Sequence, residues 1–340
     1  MADQTLAGGH ALNASSASQQ GHEGARGGRD LWPDTAYLMP DDRRLRVARG
    51  DFQMEVKDPE LREQLYLGLM KKCLTRYIFP DTYRPLGRPA WRVHPLASLA
   101  WPVYSLITPA LAARGIKMFR YQPFDAARRA EGKDWPAEAD TMVGLKRLDN
   151  LQFCITEVLR ASIPGDLIET GVWRGGAAIF MRAVLKARGD HTRLVWVADS
   201  FEGLPKPDGR YPQDAGDVFW KYKSTLGVPL EQVKSNFARY DLLDDQVRFL
   251  AGWFKDTLPK APISQLAILR LDGDMYSSTM DALQNLYPKL SPGGYVIVDD
   301  YGAVAACKQA VDDFRRRCGI GEQLERIDWT GIFWQKSAQL

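Results

Sequence analysis

The sequence predicts an α/β fold: a mostly parallel sheet with helices on both faces, preceded by an N-terminal extension of helical and irregular character. Three observations predict it. From residue 140 onward, short near-continuous apolar runs alternate with stretches long enough for helices, the pattern of a parallel sheet buried on both sides. Several of those runs end in an acidic residue, and the first is followed by a glycine-rich turn. No segment repeats at a period of roughly 20–50 residues, which argues against a solenoid.

Residues 1–30 are rich in Gly, Ala, Ser and Gln and carry no apolar core of a signal peptide, so they read as a disordered tail. Residues 31–139 form a mixed extension. DPELREQLYLGLMKKCLTRY predicts a helix near 58–77, and a Pro- and Trp-rich stretch follows. Within that stretch PLASLAWPVYSLITPALAA (95–113) holds no charge, close to the length that spans a bilayer. Pro95, Pro102 and Pro109 argue against a clean span. A hydrophobic lid or dimer surface is the plain reading, ahead of contact with a membrane surface. In 140–340, DLIET (166–170), LVWVAD (194–199), VRFLAG (247–252), LAILRLD (266–272), YVIVDD (295–300) and GIFWQK (331–336) read as strands. Helices are predicted near 175–188, 278–290 and 304–317.

Composition narrows the function. Forty-five Lys+Arg against 42 Asp+Glu leave a net charge of +3, too balanced to argue for nucleic acid. Cys73, Cys154, Cys307 and Cys318 form no C-x-x-C pair; free thiols in a reducing, cytoplasmic setting are the plain reading. His10, His22, His94 and His191 lie away from the acidic motifs, which makes carboxylate chemistry the default.

Right-handed crossovers gather the C-terminal ends of parallel strands on one edge. Glu169, Asp199, Asp272, Asp299 and Asp300 stand at those ends and are expected to converge. The first turn, ETGVWRGG (169–176), is neither G-x-G-x-x-G nor a Walker A loop. Glu169 there repels phosphate and attracts a cation or an ammonium group. Asp199 is placed to accept ribose hydroxyls or to cap the next helix, and Phe201 to stack on a purine. Together they ask for an adenosine ligand with a positive charge and an amino-acid head. S-adenosylmethionine fits; NAD and ATP fit badly. Carboxylates ~5 Å apart repel by about 3 kcal/mol per pair at an effective dielectric of 20. The pairs Asp272/Asp274 and Asp299/Asp300 therefore call for protons or a hard divalent cation, for which magnesium is the natural choice. The alternative is that Asp299 and Asp300 merely cap the helix near 304, with Asp274 in a turn.

TMVGLKRLDNLQ, ETGVWRGG, VADSFEGLPKPD, LLDDQVRFLAGWFKDTLP and LRLDGDMYSSTMDALQNLYPKLSPGGYVIVDDYG resemble, in order, the macrocin O-methyltransferase family over residues 140–336. The resemblance implies a Rossmann-like class I fold with a mostly parallel seven-stranded sheet, S-adenosylmethionine and Mg2+ as cofactors, and methylation of a sugar hydroxyl on a glycosylated natural product or glycolipid. Asp272, Asp299 and Asp300 would be the metal ligands. Asp274 would be the base, with Asp272 able to share that role. Cofactor contacts would come from Met142 and Val143, from Glu169, Thr170, Gly171, Val172, Trp173, Arg174 and Gly175, from Asp199, Ser200, Phe201, Glu202 and Gly203, from Gly252 and Trp253, and from Asp272. A homodimer or larger homo-oligomer is implied. The Trp/Pro-rich insertion within 31–135 maps onto no lid of the family. A catechol-type O-methyltransferase is the nearest rival, and a non-catalytic S-adenosylmethionine-binding protein the rival from another class.

Overall fold

The chain enters its first helix through a local stop-and-start signal. Asp58 accepts the N–H of Glu60, Pro59 is pre-set for the first helical position, and Lys71 and Lys72 face the negative end of the helix. This helix, α1 (Pro59–Leu74), buries Leu67, Met70 and Leu74 and leaves Leu61, Leu65, Tyr66 and Leu69 exposed. The computed structural model describes residues 58–85, 95–134 and 136–337. The predicted tail 1–30 and the start of the 31–139 extension lie outside the described residues.

β1 (Tyr83–Pro85) pairs antiparallel with β2 (Phe119–Tyr121), and α2 (Pro95–Ala112) lies between them in sequence. α2 is the uncharged stretch, with Pro102 and Pro109 inside the helix and Val103, Leu106 and Ile107 exposed. Among the described residues no helix is long and apolar enough to cross a membrane. α3 (Ala126–Ala130) and α4 (Leu145–Arg160) lead into the sheet. α4 is absent from the elements predicted above, although Leu148, Leu151, Ile155 and Val158 recur at helical spacing and are all buried.

The remaining elements alternate as the apolar runs predicted. They are β3 (Asp166–Thr170), α5 (Gly176–Ala187), β4 (Val195–Asp199), α6 (Lys223–Leu226), α7 (Leu230–Arg239), β5 (Val247–Ala251), α8 (Phe254–Thr257), β6 (Leu266–Leu271), α9 (Tyr276–Leu286), β7 (Leu290–Val298), α10 (Ala305–Cys318), β8 (Glu325–Arg326) and β9 (Ile332–Gln335). The seven strands β5-β4-β3-β6-β7-β9-β8 form one sheet. β3 to β7 run parallel, and β9 lies antiparallel to both β7 and β8. β8 was not foreseen, since two exposed charged residues carry no strand signal.

One face of the sheet is covered by α1, α4, α5 and α7, the other by α9 and α10. After β3 the chain moves to β4 on one side and later returns to β6 on the other. Such a reversal splays the connections apart and opens a crevice beyond the strand ends. The four cysteines are free.

α1 belongs to the same hydrophobic core as α4 and α5, where Leu67 and Leu74 are fully buried. Leu67→Ala is expected to cost about 2–5 kcal/mol through lost burial and a residual cavity, measured by denaturant unfolding. A change within 0.5 kcal/mol, on the order seen for surface sites, would show that α1 is peripheral to the core.

Candidate active site

The crevice at the reversal point is a cavity of about 340 Å³. Behind its acidic lining Arg270, the penultimate residue of β6, a strand in which every residue is buried, needs partners for a charge removed from water. Its Nη1 donates to Glu169 Oε1 at 2.6 Å and to Asp272 Oδ2 at 2.8 Å, and its Nη2 donates to Asp299 Oδ1. Glu169 and Arg270 are register partners across β3 and β6. The other oxygen of Asp299 accepts from Arg147, in the first turn of α4, whose Nε donates to Asp328 Oδ2 at 2.9 Å. Asp328 in turn accepts the N–H groups of Thr330 and Gly331. A buried chain of alternating charge thus ties β3, β6, the end of β7, α4 and the turn before β9.

Two arginines do not balance this site. Glu169, Asp272, Asp274, Asp299 and Asp300 line it, Asp328 lies behind Arg147, and neither guanidinium bonds Asp274 or Asp300. Burial pushes Glu169 up to about 8, against the pull of Arg270 and, more weakly, of the Ala178 amide. Burial, then repulsion from Asp299, raises Asp272 to about 6. Burial and the neighbouring Asp272 raise Asp274 to about 7, and Asp300 lies well above the carboxylate range for the same reasons. In each case burial, which disfavours the charged form, comes first and neighbouring carboxylates add to it.

The donor set fits a magnesium ion. Asp272, Asp299 and Asp300 each offer one carboxylate oxygen, and these atoms lie within 4.8 Å of one another. Asp272, Asp299 and Asp300 are the residues that would hold such an ion. The guanidiniums flank these acids without reaching Asp300. Neither Asp299 nor Asp300 serves as a helix cap: the cap position of α10 is Val304, with no side-chain cap hydrogen bond. The cation side of an amino-acid head is also met. Glu169 Oε2 is buried with no hydrogen-bond partner among the described residues, and Glu169 lines the cavity.

Of the residues expected to touch a cofactor, Met142, Val143, Glu169, Gly171, Val172, Trp173, Asp199, Ser200, Gly203, Trp253 and Asp272 line the cavity, together with Asp274, Asp299 and Asp300. Thr170, Arg174, Gly175, Phe201, Glu202 and Gly252 do not. Phe201 packs in the core against Phe249 with ring centroids 6.4 Å apart and does not line the cavity. Arg174 stacks on Trp173 at 4.2 Å and donates to Ala139 O, shaping the loop from outside. Glu202 is exposed and paired with Lys223. Asp199 accepts the N–H groups of Val172 and Phe201, each at 2.7 Å, and so ties the glycine loop to the end of β4.

Backbone strain concentrates here. Trp173, Phe201 and Asp274 are non-glycine residues at φ of 48°, 57° and 55°, a region that persists only where the surroundings enforce it. Gly171, at φ 85°, has a second constraint: a Cβ there would lie 1.8 Å from the Asp272 carbonyl oxygen. β3 and β6 approach this closely only because residue 171 has no side chain.

Sequence reasoning missed Arg147, Arg270 and Arg129, which donates to the carbonyls of Met142 and Val143 at 2.7 and 2.6 Å. Arg270 left a trace: a lone charge within LAILRL (266–271), an otherwise apolar strand, requires a buried acid nearby. Also missed were Leu204, Pro205, Lys206, Arg210, Phe219 and Leu226, which wall the cavity from the β4–α7 connection. From the N-terminal extension, Gly132 and Asp134 reach the wall as well.

A seven-stranded sheet of this order, with an acidic, glycine-looped crevice at its reversal point, defines a class I S-adenosylmethionine-dependent methyltransferase fold. The profile of the TylF macrocin-O-methyltransferase family matches residues 63–336, and the chain belongs to that family. It is 52% identical over 275 residues to the 8-demethyl-8-(2,3-dimethoxy-alpha-L-rhamnosyl)-tetracenomycin-C 4'-O-methyltransferase of Streptomyces olivaceus, covering 81% of this chain and 93% of that one. It is 45% identical over 283 residues to the mycinamicin III 3''-O-methyltransferase of Micromonospora griseorubida, covering 82% and 99%. The solved structure of the O-methyltransferase NovP superposes with a TM-score of 0.68 at 45% identity, covering 81% of this chain and all of the other. The chain is an O-methyltransferase.

Gly171→Ala is expected to force β3 and β6 apart and weaken S-adenosylhomocysteine binding at least tenfold, with a lower melting temperature. Calorimetric titration and thermal unfolding check both; unchanged binding would show that the loop has room the structure denies it.

Proposed function

We propose that this O-methyltransferase acts on a sugar hydroxyl of a glycosylated small molecule, with magnesium held by Asp272, Asp299 and Asp300. The observation that carries the reading is the convergence of those three carboxylates in the same cavity as the unpartnered Glu169 oxygen. The named substrates of the relatives, a rhamnosyl tetracenomycin and mycinamicin III, support a glycosylated acceptor.

The chemical difficulty is the nucleophile, because an aliphatic hydroxyl holds its proton far above neutral pH. Magnesium, when bound, lowers the pKa of a coordinated hydroxyl and fixes its approach. Arg270 and Arg147 hold Asp299 in place from both sides. Glu169 receives the ammonium group of the methyl donor, and the glycine loop with Asp199 shapes the donor's side of the cavity. Asp274 accepts the hydroxyl proton as the methyl group moves. It lines the cavity, no arginine engages it, and its own N–H is held by Asp300 at 3.2 Å. Leu204, Pro205, Phe219 and Leu226 supply an apolar wall suited to an aglycone.

Asp300→Ala is expected to abolish magnesium-dependent turnover while S-adenosylhomocysteine still binds; full activity in excess EDTA would sink the metal assignment. Asp274→Asn keeps a residue type that tolerates left-handed backbone and is expected to lower kcat by about 10²-fold or more, with magnesium affinity unchanged in calorimetry. Turnover equal to wild type would remove Asp274 as the base. Assaying a glycoside beside a catechol tests the acceptor class: preference for the catechol would overturn the sugar reading.

A further inference from the structure

The β4–α7 connection, residues 200–229, has no element longer than four residues, only turns at Pro212–Asp214 and Phe219–Tyr222 and the short α6. Structureless connections of this length in a compact domain are uncommon and usually functional. Its residues form a strap across the cavity. On the glycine-loop side the strap is held where the Trp173 indole N–H donates to the Thr225 carbonyl at 2.9 Å. On the acidic side it is held by α9.

That second anchorage is unusual. The cap position of α9 is Met275, which offers no side-chain acceptor, so the first amides of the helix have no local partner. Asp214, only 3% exposed, supplies both bonds from the strap: Oδ1 accepts the N–H of Tyr276 at 2.8 Å and Oδ2 that of Ser277 at 2.9 Å. Four residues earlier, Arg210 places both terminal nitrogens on the Asp281 carboxylate of α9, each at 3.1 Å. Tyr211 packs its ring on Tyr276 at 5.0 Å. The strap thus grips the first two turns of α9 by three separate contacts.

Asp274 stands two residues before Tyr276, in the left-handed region. Its N–H is held by Asp300, and the chain just after it is held by Asp214. A strained residue keeps its conformation only while both flanks are fixed. We propose that Asp214 is a positioning residue for methyl transfer: capping α9 from the strap sets the place of Asp274, so closing the strap and presenting the base are one event. The claim rests on the proposed role of Asp274. An enzyme built this way has its base aligned only when the cavity is covered, which keeps the activated hydroxyl from water.

The test uses the full chain with Asp214→Ala and Asp214→Asn, and S-adenosylhomocysteine as the probe. Asp214→Ala is expected to lower kcat at least tenfold, with the dissociation constant for S-adenosylhomocysteine within about threefold of wild type. Asp214→Asn, which keeps one of the two capping oxygens, should recover part of the rate. A kcat per S-adenosylhomocysteine-binding site equal to wild type, with only the melting temperature lowered, would reduce Asp214 to a structural cap and overturn the proposal. Hydrogen exchange gives a readout independent of turnover. In the wild type, S-adenosylhomocysteine should protect residues 205–227 and 272–278 together, and in Asp214→Ala the second segment should lose that protection. Independent protection of the two segments in the wild type overturns the proposal even if no acceptor is methylated, whereas absence of methyl transfer by the wild type sinks only the sugar reading. If Asp214→Ala does not fold, Arg210→Gln loosens the same strap from a more exposed position and should give a smaller change in the same direction.

Discussion

A guanidinium buried in the middle of a sheet must find its counter-charges within reach of one side chain. Arg270 finds them at the ends of three neighbouring strands: Glu169 on β3, Asp272 after its own strand, and Asp299 after β7. Those three acids can meet only if β3, β6 and β7 end level with one another. The parallel register that brings Glu169 beside Arg270 meets this condition. Arg147 extends the same constraint to α4 and to the turn before β9. The ionic chain therefore joins the helix that follows Met142 and Val143 to the strand ends that carry the acidic cluster.

Buried ion pairs seldom add net stability, because desolvation offsets most of the attraction. The arrangement here makes more sense as pre-organisation. The arginines hold Asp299 in place, while Asp274 and Asp300 accept no hydrogen bond from them and are raised by burial and by neighbouring carboxylates. The site is left short of positive charge in one defined place. A methyl donor bearing an ammonium group and a hard divalent ion are both species that such a deficit attracts.

Strain tells the same story from the backbone side. Trp173, Phe201 and Asp274 each sit just past the end of a parallel strand, where the chain must turn sharply beside the cavity. Each is over-determined by its surroundings. Trp173 is tied to the strap, the Phe201 N–H is held by Asp199, and Asp274 lies between Asp300 and the strap-capped helix. The long β4–α7 connection thus supports the geometry that the strand ends begin. The sequence reading had looked for a lid in the N-terminal extension, which contributes Gly132 and Asp134 to the wall.

The strand positions, the glycine turn and the acids at the strand ends were legible in the sequence because each has a local signature. Apolar runs of strand length read as buried strands, Gly171 marks a sharp turn, and an acid closing an apolar run needs an explanation within a few residues. α4 was legible too, by the helical spacing of its apolar residues. The partners of those acids had no such signature. Arg147 meets Asp299 across 152 residues and Asp328 across 181, and Asp214 meets α9 across 62. Nothing near any of these residues in the chain distinguishes a buried tether from a solvated charge. Phe201 shows the same limit in reverse: its place beside Asp199 suggests a surface for a ligand, and its packing against Phe249 in the core has no local signature. Local chemistry determined which residues stand at the edge of the sheet. Only the folding of distant segments onto one another decided what each of them touches, since those contacts depend on three-dimensional closure and not on order along the chain.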